Sequence, residues 1–379
     1  MTKRRRKISA FLRALFLITQ ILLGLGLMIA VFSPRISPQT FWPTAFLGLG
    51  YPLLLAGNTV LLVFWGFKKD RMFIYTLIVL IIGCSQLRQF FQWNNPTPDE
   101  GLKSEGIRIL TYNVRLFDYY NWTHRKETKE KMMKFLQKEQ ADIVCLQEFF
   151  SQDTALHIRE SDIRRVLGKA RYSHIEYTAY VRKHKQHFGI ATYSSYPVIR
   201  RGKVPFEDNG NNICIYTDVV IHGDTVRIYN MHLQSLHFGA EDYHFLENPG
   251  DGDQGQTLKD SRRIAGKLKN AFQKRAHQAD LIRAHMDQCP YLKIICGDFN
   301  DSPISYAYHT IADGLTDDFH AFGKGWGKTY VGLYPAFRID YILHSPEFTP
   351  VSYEIGTENL SDHYPVMSVV LPPSLAKTN

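Results

Sequence analysis

The sequence predicts an α/β domain richer in strands than in helices, carried behind N-terminal transmembrane helices, and three observations lead there. Long uncharged apolar stretches are confined to the first 93 residues. From Ile107 onward they give way to short apolar runs that halt at polar residues, the pattern of strands covered on both faces. Between those runs, residues 126–139 and 258–288 show helical spacing without an internal proline.

The first apolar stretch, residues 14–32, follows the basic cluster Lys3-Arg4-Arg5-Arg6-Lys7 and is long enough to span a bilayer. Residues 43–67 are also uncharged, with Trp42 and Trp65 near their ends as interfacial aromatics stand. The third stretch, residues 72–91, is apolar to Leu87 and then admits Arg88. A basic start also suits a cleavable secretory signal. Two further apolar stretches and the lack of a small-residue cleavage site after Phe32 favour an uncleaved anchor. Basic residues at 3–7 and at Lys68, Lys69 and Arg71 bracket the first two spans and face the cytoplasm by the positive-inside rule. Three spans then put the rest of an integral membrane protein on the extracytoplasmic side of the inner (plasma) membrane; a third stretch lying on the surface would reverse this. Residues 94–105 open with the polar, proline-rich run Asn94-Asn95-Pro96-Thr97-Pro98, a linker. Residues 106–372 form the domain behind the anchor and 373–379 a tail.

Within that domain each apolar run leads to side chains that carry chemistry. Residues 107–112 end at Asn113, 142–146 at Gln147-Glu148, 225–229 at Asn230-Met231-His232, and 291–296 at Gly297-Asp298-Phe299-Asn300. Residues 337–343 contain Asp340, and 366–371 follow Ser361-Asp362-His363. A carboxylate holds a hard cation, an amide donates to a phosphoryl oxygen, and a carboxylate-oriented imidazole moves a proton: together they can cut a phosphate ester with a metal ion. Each also has an ordinary explanation. Glu148 suits a salt bridge or an exposed strand end, Asn113 a turn, and Asp298 with Asn300 an Asx-turn ahead of Asp301-Ser302-Pro303. His232 is one of 15 histidines.

Charge and cysteine content narrow the classes. The formal charge of +9 is almost all N-terminal: residues 1–100 hold 11 Lys/Arg against 3 Asp/Glu, and the remainder 34 against 33. A near-neutral domain argues against an unaided grip on duplex DNA, which needs a basic footprint. The five cysteines form no CxxC, and Cys145, Cys214 and Cys296 lie within apolar runs as small buried hydrophobes.

Taken together, seven motifs in order make the segment from Gly106 to Leu371 resemble the endonuclease/exonuclease/phosphatase superfamily, which includes DNase I, abasic-site endonucleases, neutral sphingomyelinases and inositol-polyphosphate 5-phosphatases. They are Thr111-Tyr112-Asn113, Leu146-Gln147-Glu148, Gly189-Ile190-Ala191 with Tyr196-Pro197-Val198, Asn230-Met231-His232-Leu233, Gly297-Asp298-Phe299-Asn300, Asp340-Tyr341-Ile342, and Ser361-Asp362-His363-Tyr364-Pro365-Val366. The resemblance implies a four-layer α/β sandwich of two packed β-sheets flanked by helices, with its site at one mouth between the sheets. It implies that Glu148 is the principal Mg2+ ligand, with Mn2+ as a substitute, and that Asn113 and Asp362 belong to the metal site. Asp298 and Asn300 resemble the pair that orients water and donates to phosphate. Asp340 with His363 resembles a carboxylate–imidazole couple, and His232 the histidine on the opposite side of the phosphate.

Substrate choice is less legible. Residues 237–256, glycine-rich and acidic through Glu241, Asp242, Glu247, Asp251 and Asp253, read equally as a lid over the site or as a solvated insertion, and their acidity would repel a polyanion. The Lys and Arg residues of 258–288 read as a solvated helix face. The leading expectation is a membrane-anchored Mg2+-dependent phosphoesterase whose partners are the bilayer and a phosphoester such as a lipid headgroup, with no obligate protein partner evident. An endo- or exonuclease is the alternative. A non-catalytic receptor or scaffold would have lost site residues, and none is missing.

Overall fold

The computed structural model describes residues 3–94, 97–154, 156–181, 183, 185–206, 210–236, 238–248, 254–332 and 338–376. Twelve strands build two six-stranded sheets: β1 (Ile107–Asn113), β2 (Ile143–Gln152), β3 (Tyr172–Val181), β4 (Gln186–Ser194), β5 (Val198–Val204), β6 (Ile213–Ile221), β7 (Asp224–His232), β8 (Leu292–Asp298), β9 (Thr316–Asp317), β10 (Asp340–His344), β11 (Thr349–Ile355) and β12 (Val366–Leu371). One sheet runs in the order β11-β12-β1-β2-β4-β3 and the other β9-β10-β8-β7-β6-β5. In each, one parallel pair lies at the centre, β1 with β2 and β7 with β8, and every other pairing is antiparallel. Each parallel pair is joined through a helix, Thr128–Glu139 in one case and the 34-residue Gln254–Asp287 in the other, because parallel neighbours need a crossover.

Strand alternation makes this a four-layer sandwich. Ile107, Ile109, Ile143 and Cys145 point between the sheets to meet Ile228, Ile294, Cys296 and Ile342. Their neighbours Leu110, Tyr112, Val144 and Leu146 pack outward on Met132, Leu136 and Ile163 of the helices. On the far side Tyr229 and Ile295 pack on Ala279, Ile282 and Met286 of the long helix. Both faces of the central strands are thus dry, which is why they read as continuous apolar runs.

The N-terminal quarter holds three helices long and apolar enough to cross a membrane: Arg13–Arg35, Tyr51–Lys68 and Met72–Phe90. Their outward side chains, among them Leu15, Leu22, Ile29, Val60, Ile74 and Ile81, are exposed. Inside, Gln20 Nε2 donates to Asn58 Oδ1 (3.1 Å), and Asn58 Nδ2 donates to the Leu23 carbonyl (3.1 Å), polar contacts of the kind that join helices in lipid. The apolar stretch at 43–67 is not one helix. It breaks at Gly50 into Pro43–Leu49 and Tyr51–Lys68. Trp65 is no interfacial aromatic either: it is buried, with Nε1 donating to Gln20 Oε1 (3.3 Å).

Other segments also differ from the sequence reading. The linker contains a helix, Glu100–Glu105, whose first amides are capped by the Asp99 carboxylate; Asn95 and Pro96 lie outside the described residues. The acidic loop contains the helix Ala240–Glu247, and Asp242 within it pairs with Arg263 (2.9 Å) and Lys267 (2.6 Å); His237 and residues 249–253 lie outside the described residues. The long helix is no simple solvated face, because Arg275 is fully buried against Asp301 (2.9 Å). The tail opens with a short helix, Pro373–Ala376.

Candidate active site

The two central parallel pairs deliver their C-terminal ends to the same mouth, where ligands meet open α/β sheets. Asn113 closes β1, and His232 and Asp298 close β7 and β8 in register with each other. Asp340 opens β10 opposite Asp298, and His363 lies just before β12. Gly297 makes the approach of β8 to β7 feasible. Its φ of +144° and a Cβ position only 2.1 Å from the Met231 carbonyl oxygen admit no side chain.

Glu148 does not close its strand, as the sequence suggested, but sits inside β2. The register slips between Leu146, opposite Ala191, and Phe149, opposite Gly189, and Glu148 takes a left-handed φ of 46°. This bulge separates the jobs of two neighbours. Gln147 turns into the dry space between the sheets, where Nε2 donates to Asn230 Oδ1 (2.7 Å) and Thr111 Oγ1 (3.0 Å). Glu148 stands at the rim, one-third exposed. Asn230 is likewise a tie between sheets rather than a site residue, its Nδ2 donating to the Ala191 carbonyl (2.9 Å).

At the mouth, Asn113 Nδ2 donates to both Glu148 Oε1 (3.2 Å) and Asp298 Oδ2 (3.0 Å), while Asn113 Oδ1 accepts from the Arg115 amide (3.0 Å). His232 Nε2 lies 3.6 Å from Asp298 Oδ2 and 3.8 Å from Glu148 Oε1, buried and without a hydrogen-bond partner. His363 Nε2 approaches the same Asp298 oxygen at 3.6 Å, and its Nδ1 donates to Asp340 Oδ2 (2.9 Å). Burial pushes the Asp340 carboxyl up to about 6, against the pull of the His363 ring and with the help of Asp298. Burial opposes a charged His363 ring, but Asp340 and Asp298 outweigh it and hold its pKa well above the usual imidazole value. The Nδ1–H of the ring is the hydrogen that joins this buried couple.

Two of the sequence candidates occupy other stations. Asn300, at a left-handed φ of 54°, donates its backbone amide to Asp298 Oδ1 (2.8 Å) and its Nδ2 to the Leu233 carbonyl (3.1 Å), so it shapes the turn behind Asp298 and the chain after His232. Asp362 is paired with Arg115 Nε (3.2 Å), a neutralised carboxylate outside the Glu148–Asp298 cluster. Sequence reasoning missed Arg115 and Thr329. The Thr329 hydroxyl accepts from the amides of Ile339 (3.0 Å) and Asp340 (3.1 Å), and its carbonyl accepts from the Tyr364 amide (2.6 Å), tying the two halves of the carboxylate–imidazole couple. No motif marks it.

The donor set fits a divalent cation at Glu148. Neither Glu148 nor Asp298 pairs with a Lys or Arg among the described residues, and Glu148, beside a second carboxylate, accepts from Asn113 Nδ2 alone, which leaves it open to a cation. Asn113 turns its NH2 toward them and bridges the two carboxylates. Asp298, Asp340 and His363 also form a tight buried group, but its His363–Asp340 pair is already satisfied by its own hydrogen bond.

The family model described as Endonuclease/Exonuclease/phosphatase family matches residues 110–363, and one described as a domain of unknown function matches residues 13–90. No curated protein matches the sequence. Among solved structures, an endonuclease/exonuclease/phosphatase from Beutenbergia cavernae is 16% identical over 71% of this chain and 72% of its own, with a TM-score of 0.50. The human Nocturnin catalytic domain with bound sulfate is 15% identical over 70% of this chain and 94% of its own, at 0.49. A mannosyl-6-phosphatase from Bacteroides thetaiotaomicron is 17% identical over 70% and 99%, at 0.46. At these identities the likeness is one of fold.

Proposed function

Because this chain belongs to the endonuclease/exonuclease/phosphatase family, whose members are typically phosphoester hydrolases that use a divalent metal, we propose that it is a membrane-anchored, Mg2+-dependent phosphoesterase. One observation carries the reading: two carboxylates and two imidazoles from both sheets face one point, and among the described residues no Lys or Arg neutralises those carboxylates. Glu148 would hold the metal, Mg2+ or Mn2+, which when bound supplies a Lewis acid for charge on the phosphoryl oxygens. Asp298, its Oδ1 fixed by the Asn300 amide and its Oδ2 by Asn113, orients the attacking water and takes its proton. His232 donates its unpartnered Nε2–H to a phosphoryl oxygen. The His363 imidazolium, held by Asp340, gives its proton to the departing oxygen and recovers it from Asp298, 3.6 Å away. No covalent enzyme intermediate is required.

On this reading the three apolar helices, long enough to span, are the anchor, and the basic residues at 3–7 and 68–71 support an extracytoplasmic domain. The test uses the full chain in lipid nanodiscs with bis-p-nitrophenyl phosphate and plasmid DNA side by side. Mg2+-dependent, EDTA-sensitive hydrolysis of the diester is expected, with Glu148→Gln lowering kcat at least about a hundredfold. Rapid nicking of DNA with a silent diester would move the assignment to a nuclease. Glu148→Gln at the wild-type rate would sink the site.

A further inference from the structure

The catalytic turns rest directly on the end of the helical bundle. Ile304, just after the Asp298–Asn300 turn, and Ile339, beside Asp340, are buried in one cluster with Leu27, Val31, Tyr51 and Leu80 of the apolar helices. Gln39 Nε2 reaches Asp280 Oδ2 on the long helix (3.1 Å), and Phe46 packs edge-on against Phe272 (5.2 Å between ring centroids). Nearby, Lys269 Nζ lies 5.2 Å over the ring of the partly exposed Trp42, a pairing suited to the headgroup level. The mouth of the site therefore lies near the surface where the chain enters the bilayer.

Between this junction and the catalytic turn runs an apolar cavity of about 90 Å3. Its walls are Leu49, Leu236, Phe238, Leu246, Leu268 and Phe272, and Asn300, Ser302 and the buried Arg275–Asp301 pair line it beside the catalytic turn. Leu49 ends the helix before the apolar helix that starts at Tyr51, so one wall of the cavity belongs to the N-terminal bundle. Another includes Asn300, whose amide holds the Asp298 carboxylate. Leu49 and Phe272 also pack on the helical bundle, whereas Leu236, Leu246 and Leu268 are half-buried and belong to none of the buried cores. Neither a nucleic acid nor a free phosphate has a use for an apolar slot that starts at an apolar bundle and stops at a catalytic turn. A lipid does.

We propose that this cavity is an acyl-chain subsite, built jointly by the membrane segment and the catalytic domain, and that the substrate is a phosphoester of a bilayer lipid whose phosphate reaches Asp298 while its chain lies along Leu49 and Leu268. The proposal rests on the phosphoesterase reading above. It adds the substrate class and the element that selects it.

The test measures kcat/KM of the full chain in nanodiscs for a chain-length series of glycerophospholipids, with bis-p-nitrophenyl phosphate as the soluble reference. Each added methylene should raise kcat/KM by up to about fourfold until the slot is filled. Leu268→Trp, which fills the slot, should flatten that series and leave the soluble diester within about twofold, and this unchanged rate also reports a folded enzyme. Leu246→Ala, which enlarges the slot, should move the plateau to longer chains. A chain-length slope that persists unchanged in Leu268→Trp is mere partition into the bilayer and overturns the subsite, as does a flat series in the wild type. Loss of Mg2+-dependent turnover on the soluble diester by the wild type would instead remove the phosphoesterase reading itself, so the two failures are distinguishable.

Discussion

Single residues set the geometry of the mouth by leaving the ordinary backbone regions. Glu148 at φ 46° and Asn300 at φ 54° are left-handed, and so are Arg115, Leu116, Phe117 and Asp118 in succession. Non-glycine residues there cost about 1–2 kcal/mol each, so the run must be held from outside. It is: Phe117 is buried at 0% exposure, Asp118 accepts from the Thr123 amide (3.2 Å) and hydroxyl (2.6 Å), and Arg115 grips Asp362. Asp340→Asn should lower kcat by about a hundredfold or more with the fold intact, because the amide neither orients the ring nor stabilises its charge. Steady-state kinetics beside circular dichroism checks this, and wild-type turnover would refute the couple. Gly297→Ala should lower the melting temperature sharply, since its Cβ would overlap the Met231 carbonyl. A thermal scan of the purified variant reads the outcome directly.

At the scale of elements, polar ties join pieces that apolar packing alone would leave free to slide. Gln147 and Asn230 link the two sheets inside a dry interface. Asn230→Leu removes the bond from Gln147 Nε2 and the bond to the Ala191 carbonyl that cross between the sheets, and should cost about 1–3 kcal/mol, measurable as a lower denaturant midpoint. A second tie is the buried pair Asp317 and Arg338 (2.7 Å), with Tyr308 and the Phe319 amide also donating to the carboxylate. Burial alone would raise the Asp317 pKa, but Arg338 and the other donors hold it below the usual carboxylate value. A pKa lower in the folded than in the unfolded state makes this contribution complete above the unfolded value of about 4, and it is lost as pH falls through the folded value. Arg338→Met should therefore destabilise the protein by about 3–5 kcal/mol at neutral pH by stranding a buried charge, with the difference from wild type shrinking in acid. A mutant gap that stayed constant from neutral to acidic pH would contradict this account.

For the whole molecule, the bundle and the sandwich form one continuous packed object joined at Ile304 and Ile339, with a short antiparallel ribbon of Gln92 and Trp93 on Gly325 and Lys324 beside it. The strand ends that carry Asp298 and Asp340 are thereby held against the end of the apolar bundle. The three-span reading predicts opposite sides for the two ends of the bundle. In a Cys84→Ser background, a cysteine at Lys69 should react with an impermeant thiol reagent only after the membrane is opened, and one at Lys103 in intact cells. The reverse pattern would place the catalytic domain in the cytoplasm.

Much of this was legible in the primary structure because it depends on local order along the chain. Apolar runs long enough to cross a bilayer, strands dry on both faces, and the types of side chain that end or follow them are properties of consecutive residues. So the α/β class could be read directly, and the resemblance carried by the seven motifs named the candidates Asn113, Glu148, His232, Asp298, Asn300, Asp340, Asp362 and His363. Their division of labour could not, because it depends on residues far apart. The bulge that sends Gln147 inward and Glu148 outward is set by pairing with Gly189 and Ala191, some 40 positions on. The claim of Arg115 on Asp362 spans most of the domain, and Thr329 holds Asp340 from a segment without a motif. The apolar slot has walls from residues 49 to 272, so no window of sequence contains it. The sequence determined which chemistry the chain carries. Tertiary structure alone decided which carboxylate stays open for a cation and which surface lies beside it, since charge neutralisation and cavity shape are relations between distant side chains.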